Sequence, residues 1–143
     1  MMAESPHPDF FPRMSAFDIT CLVSGAETGG AIAVFSETVP PGGGPPRHVH
    51  RDQIEVFHVI EGEIRFELDG ETVVRGSGAS VLVPAGAVHA FRNDGETPAT
   101  IHFELLPAGR SEEFFSRLVA GEKGDPGAFF DAFGIDLCGP PLA

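Results

Sequence analysis

The sequence is short of positive charge. It carries 9 Lys plus Arg against 21 Asp plus Glu, a formal net charge of −12, and no cluster of cationic residues offsets the excess locally. Such a surface repels phosphate backbones and anionic lipid, so neither nucleic acid nor membrane is an expected partner. Long apolar runs are missing as well, and no stretch has bilayer-spanning length. The opening residues, MMAESPHPDF, lack the apolar core of a secretory signal, so the expected location is cytoplasmic. Cysteine is scarce: Cys21 and Cys138 lie far apart and match no CxxC spacing. Two reduced thiols are expected, with one bridge between the chain ends as the alternative.

What is present fits one globular domain. The chain has 143 residues, 42% of them apolar, enough to bury a real core. From Asp18 to Leu106 it reads as short runs rich in β-branched and aromatic residues, separated by glycine-rich or proline-rich turns: DITCLVSG, AIAVFSETV, IEVFHVIEG, EIRFELDG, ETVVRG, ASVLVPAG, VHAFRND and ATIHFELL. Asp-Gly between two such runs, in ELDGETVV, is a strong hairpin signal. No helical pattern lies between the runs, which predicts an all-β sandwich or barrel.

Alternation assigns faces. In EIRFELD, Ile64, Phe66 and Leu68 fall on one side and Arg65, Glu67 and Asp69 on the other, the pattern of a half-buried strand. EVFHVIE differs, because Val56 and Ile60 are apolar as well as Phe57 and Val59. Cover on both faces is expected there, from the barrel interior and from a second sheet or subunit.

The ending changes character. SEEFFSRLVAG offers Ser111 as an N-cap, Glu112 and Glu113 in the first turn and Gly121 as a stop. Phe114 pairs with Leu118, and Phe115 with Val119, at helical spacing. DPGAFFDAFG repeats the idea, with Asp125 before Pro126 and with Phe129, Phe130 and Phe133 on one side. The expected organisation is an N-terminal arm over residues 1–17, a β-barrel over 18–108 and a helical segment over 109–143 packed on the barrel. Its phenylalanines either pack on the barrel or line its mouth as part of a pocket.

One short stretch points to chemistry. In RHVHRDQIE, His48 and His50 are two apart, so a strand projects both from one face, and a turn over Arg51 to Ile54 returns Glu55 beside them. Two neutral imidazoles and a carboxylate suit a divalent first-row metal, and the stiff PPGGGPP run before them can fix the approach of the chain. His89, opening a strand after the Pro84–Gly86 turn, is the candidate fourth ligand; proximity to His48 requires the fold.

These residues carry a resemblance. GGGPPRHVHRDQIEVFHVIEG is similar to the first motif of the cupin superfamily, G-x5-H-x-H-x4-E-x6-G, through Gly42, His48, His50, Glu55 and Gly62. GASVLVPAGAVHAFRN is similar to the second, G-x5-P-x-G-x2-H-x3-N, through Gly78, Pro84, Gly86, His89 and Asn93. All ten positions are filled over roughly Ala31 to Leu106, and the tail more loosely resembles quercetinase-like cupins. The resemblance implies a double-stranded β-helix barrel with one divalent transition metal (Fe, Mn, Ni or Zn) held by His48, His50, Glu55 and His89. It implies a homodimer as well.

Against the metal stands a satisfied polar core network without an ion. A buried glutamate among three imidazoles would then cost several kcal/mol, on the order of other unpaired buried charges, so metal is the less costly explanation. His58 and His102 are expected to face away from the site by alternation, and His7 lies in the arm. Arg47 and Arg51 are read as solvated, with anion recognition as the alternative. Phe57, Phe66, Phe91 and Phe103 are core by default and candidate cavity walls.

The expected function is a metal-dependent dioxygenase acting on a small aromatic or apolar substrate, phenolic or diketone. Iron is favoured in that case, and in quercetinase-like relatives the metal glutamate is also a base, so Glu55 is the candidate catalytic residue. The alternatives are a non-catalytic small-ligand-binding cupin, weakened by the lack of a helix-turn-helix pattern in these residues, and a metal-dependent isomerase or hydrolase in which the ion polarises a carbonyl.

Overall fold

Among the described residues, ten strands form two five-stranded antiparallel sheets. They are β1 (Asp18–Val23), β2 (Ala33–Val39), β3 (Pro46–His50), β4 (Ile54–Glu61), β5 (Glu63–Leu68), β6 (Glu71–Gly76), β7 (Ser80–Val83), β8 (His89–Arg92), β9 (Ala99–Leu106) and β10 (Ile135–Pro141). One sheet has the order β1-β2-β9-β4-β7 and the other β10-β3-β8-β5-β6. The computed structural model describes residues 18–121 and 124–143; the arm, with His7, lies outside the described residues. No helix among them is long and apolar enough to cross a membrane.

The alternating pattern closes the barrel. In β2, Ala33, Phe35, Glu37 and Val39 are buried and the residues between them are half-exposed. In β9, Ala99, Ile101, Phe103 and Leu105 do the same. The two inner faces meet through Phe57 of one sheet, whose ring centroid lies 5.3 Å from Phe66 and 5.4 Å from Phe91 of the other. Each fully buried aromatic or aliphatic side chain here contributes about 1.5–3 kcal/mol.

Asp69 and Gly70 close the β5–β6 hairpin with φ of 49° and 85°. Both central residues are left-handed, the backbone that a two-residue hairpin loop matching strand twist requires. Gly44 has a different reason to be glycine. A Cβ there would stand 1.9 Å from the Phe91 carbonyl oxygen, so no larger residue lets the chain lie this close to β8. The Gly-rich run is fastened to the end of β8 on both sides: Gly42 N–H donates to Asn93 O at 2.8 Å and Asn93 N–H to Gly43 O at 3.0 Å.

Of the two covers expected for the outer face of β4, a second sheet or a subunit, the described residues of this chain do not supply the first. Ile60 and, on β7, Leu82 are 44% and 58% exposed, and no second sheet of this chain lies over them among the described residues. His58 and His102 also sit on that face, directly opposite each other. His58 hydrogen-bonds with Ser80 Oγ and Glu104 Oε1.

Two helices follow the barrel, α1 (Ser111–Val119) and α2 (Pro126–Asp131). Asp125 caps α2 by accepting from Ala128 N–H, with Pro126 in the first turn. Ser111 is not the cap of α1. Arg110 occupies that position and its side chain makes no capping bond. Ser111 is instead the first helical residue, its hydroxyl donating to Ala108 O and accepting from Gln53. The chain then returns as β10, a strand absent from the sequence reading, which pairs with β3 and sets Ile135 opposite His50 and Leu137 opposite His48. It covers what would be an exposed edge of the histidine-bearing strand.

Candidate metal centre and its cavity

The two sheets contribute different ligands to one point. His48 and His50 come from β3, and His89 from the start of β8, where it is the direct cross-strand partner of His48. Glu55 is the second residue of β4 in the opposite sheet, paired with Leu105 and Val83. One nitrogen from each histidine and one carboxylate oxygen all lie within 4.8 Å of one another, and all four residues are buried. That spacing is near the span of two metal–ligand bonds of about 2.1 Å each.

The hydrogen bonds set the rings. His48 Nδ1–H donates to Pro46 O at 2.8 Å, and His89 Nδ1–H to Ala87 O at 3.0 Å. Each neutral ring therefore keeps its lone pair on Nε2, the orientation that backbone carbonyls impose on metal-binding histidines. In this tautomer His89 Nε2 faces Glu55 Oε1 at 3.1 Å, acceptor against acceptor. His50 Nε2 lies 3.2 Å from the same oxygen, and His50 Nδ1 is buried without a partner among the described residues. A positive charge at this point, a proton or a cation, resolves the conflict, and three nitrogens with one carboxylate suit a divalent transition metal.

The electrostatics agree. Burial drives the His48 pKa well below the usual histidine value, with the neighbouring His89 and His50 adding to it, so this ring is a neutral ligand at pH 7. Burial alone would raise the Glu55 carboxyl, but the adjoining His50 and His89 imidazoles outweigh it and hold Glu55 well below the carboxylate range.

A small cavity of about 40 Å³ adjoins the cluster. Its walls are Ile19, Pro45, Phe57, Phe91 and Phe103 of the barrel, with Phe114, Phe115, Leu118 and Phe130 of the two helices. The helices thus cover the mouth, and their phenylalanines serve both as packing and as lining. Phe115 joins the two parts, its ring tilted against Phe35 at 4.8 Å and Phe103 at 5.1 Å. Of the expected walls, Phe66 is not in the lining. It packs against Phe57 and Phe91, because its place on β5 sets it beyond those two rings. His58 and His102 do not reach the cavity.

Arg47 and Arg51 are partly exposed, and both are committed to ion pairs. Arg47 forms a two-pronged pair with Glu67, with Nε to Oε1 at 2.6 Å, and donates to Pro140 O. Arg51 pairs with Asp131 at 3.0 Å and with Asp136. Both clamp the C-terminal segment against the ligand strand. Cys21 and Cys138 are free and exposed.

The cavity also holds a residue the sequence reading passed over. Glu37 lines it, is 3% exposed, and leaves Oε2 without a hydrogen-bond partner among the described residues. Burial, then the nearby Glu55 and Asp18, push its carboxyl up to about 8. A glutamate at an inward position of a strand was the available signal, since alternation in AVFSETV places it beside Phe35 and Val39.

The profile of the cupin domain matches residues 35–105. Quercetin 2,3-dioxygenase of Bacillus subtilis (strain 168) is 33% identical over 86 residues, 60% of this chain and 26% of that protein. Polyketide synthase CurC of Streptomyces cyaneus is 34% identical over 67 residues, 47% of this chain and 44% of the relative. The chain therefore spans between a quarter and a half of these two relatives. In fold it is similar to a double-stranded β-helix protein of Klebsiella pneumoniae, with a TM-score of 0.57 at 20% identity over 64% of this chain and 77% of that one. With its two antiparallel sheets and both motifs in place, the chain belongs to the cupin superfamily.

Proposed function

We propose that this cupin is a metal-dependent oxygenase for a small, largely apolar substrate, phenolic or diketone. The observation that carries the reading is the union of a four-ligand cluster with an adjoining cavity walled by phenylalanines. The likeness to quercetin 2,3-dioxygenase over the motif-bearing region supports it.

His48, His50, Glu55 and His89 would hold the metal, with iron favoured. A redox-active divalent ion there supplies the electron transfer that dioxygen chemistry needs. The remaining steps belong to the chain. Phenylalanine walls bind an aromatic or apolar body by burial and keep water from the reacting centre. Glu55, ionised and buried, is the group that takes a proton from a substrate hydroxyl. The cavity is far smaller than the several hundred Å³ of an open ligand site, so admission of a substrate requires Phe114, Phe115 or Phe130 to swing aside with their helices.

A homodimer is part of the same proposal, formed over the outer face that leaves Ile60 and Leu82 exposed. Light scattering in solution reads it directly. The test of the function is metal analysis of protein purified without added ions, followed by dioxygen consumption with phenols and diketones. Uptake that stops on chelation and in His50→Ala supports an oxygenase. Bound zinc with no uptake for any compound overturns it.

A further inference from the structure

Glu37 is an unusual residue for the inside of a barrel. Its strand neighbours on the same face are Phe35 and Val39, and its cross-strand partners are Ile19 and Ile101, all apolar. Nothing among the described residues hydrogen-bonds its Oε2, although buried carboxyls are almost always paired. An unpartnered buried carboxyl oxygen costs stability.

Its position supplies the reason. Among the described residues thirteen line the cavity, and of these His48, His50 and Glu55 are the only other polar ones. Those three belong to the ligand cluster, so Glu37 is the one polar group on the wall that is free to meet a bound molecule. We propose that Glu37 is the specificity-determining residue of this site: it hydrogen-bonds a second oxygen of a ligand whose first oxygen lies at the four-ligand cluster. The site would thereby select a small, mostly apolar ring or chain with two separated oxygen functions over the same body with one.

The chemistry favours a hydroxyl as that second function. A protonated carboxyl donates and a carboxylate only accepts, and burial and a nearby cation move this group in opposite directions. A hydroxyl satisfies either state because it both donates and accepts. Conversely, a ligand with nothing to offer here leaves the Glu37 carboxyl buried and unpaired.

The inference rests on the cavity being a ligand site and deepens the proposed function. It does not depend on oxygen chemistry, and the test is chosen accordingly. Full-length protein loaded with zinc, which supports no redox turnover, is titrated calorimetrically with phenol, resorcinol and hydroquinone. The wild type is expected to bind at least one diol about five- to tenfold more tightly than phenol, the worth of one buried hydrogen bond. In Glu37→Leu that advantage falls below about twofold, and in Glu37→Gln, whose amide still hydrogen-bonds, it is intermediate. The metal-free leucine variant should also melt higher by about 2–6 °C, because an unpaired buried carboxyl has gone. A diol advantage that survives in Glu37→Leu, or is absent from the wild type, overturns the proposal. So does a drop in melting temperature in both variants, which would make Glu37 a structural residue. Failure to consume dioxygen, by contrast, removes the oxygenase reading and leaves this result standing.

Discussion

His89 Nε2 lies 3.1 Å from Glu55 Oε1, joining side chains 34 residues apart that are carried on opposite sheets of the barrel. Neither residue is placed by the other's neighbours in sequence. His89 is positioned by the β3–β8 ladder and its bond to Ala87 O, Glu55 by pairing of β4 with β7 and β9. The barrel thus holds a nitrogen and an oxygen from opposite sheets side by side, and the testable consequences start from that juxtaposition.

Removing one donor should release the metal without unfolding the barrel. His50→Ala and His89→Ala are each expected to lower metal affinity by at least 100-fold, since even changes to residues that merely support ligands cost about 10–100-fold. Metal per chain after dialysis measures this. In the wild type, added metal should raise the melting temperature with its concentration, as any ligand of the native state does; in the two variants the rise should be much smaller. Equal metal content in wild type and variants would remove the cluster from consideration.

Glu55→Gln separates ligation from proton transfer. The amide is nearly the same size but cannot accept a proton at neutral pH. Turnover of the active substrate should fall by about 10²–10⁴-fold, the usual worth of a general base. Some of that loss will come from weaker metal binding, so rates are to be compared per bound metal. A variant that keeps wild-type rate per metal would exclude Glu55 as the base.

Stability of the metal-free protein should depend on pH in two opposing ways. His48 has a folded-state value well below 6.5, so the unfolded chain binds more protons and stability falls as pH drops below about 6.5. Glu37 runs the other way. Its value rises from 4.5 unfolded to about 8 folded, so the folded chain holds the extra proton, and its contribution is lost as pH climbs from 4.5 through 8. Melting temperature against pH should therefore be flatter on the alkaline side in Glu37→Gln than in wild type. Identical profiles would show that Glu37 is not protonated in the fold.

Asn93 is predicted to matter for stability beyond its size. It is 1% exposed, donates to Val39 O at 3.0 Å and Thr97 O at 2.9 Å, and accepts from Gly95 N–H at 2.9 Å. Asn93→Ala should cost about 2–4 kcal/mol, because one buried and two part-buried backbone groups lose their partner. Chemical denaturation measures the loss. A cost below about 0.5 kcal/mol, the range of an ordinary surface change, would show that water replaces the side chain.

Phe115 should govern how tightly the helices sit on the barrel. Its ring spans the barrel aromatics Phe35 and Phe103 and the helical Phe114. Phe115→Ala is expected to destabilise by about 2–4 kcal/mol, somewhat under the full cost of a buried phenylalanine because the ring is only partly buried. Hydrogen exchange should rise across α1 and α2 more than in β2, β4 or β9. Uniform acceleration over the whole chain would mean that the helices do not open independently.

Much of this was legible in the residues themselves. Two histidines at strand spacing, a glutamate just past a turn and a histidine after Pro-x-Gly are local patterns, and strand alternation fixes which face each occupies. Asp-Gly named its hairpin because a two-residue loop of that hand needs left-handed backbone at both positions. β10 was invisible for the opposite reason. IDLCGPP has no clear alternation and ends in prolines, and it becomes a strand because the edge of β3 lies open beside it. Ser111 was misassigned as a cap because its hydroxyl was worth more to Gln53 and Ala108, a partnership that exists only once the helix docks.

The linear order of residues determined the type of most elements, the inward face of the strands it revealed and the candidate set His48, His50, Glu55 and His89, because those depend on backbone geometry over a few neighbours. Only the tertiary structure decided that β3 and β8 stand side by side, that β4 faces them from the other sheet, that phenylalanines of a distant segment close the cavity, and that Glu37 is left there without a partner. Those outcomes depend on packing between segments far apart in sequence, where burial and the pairing of sheet edges choose the neighbours.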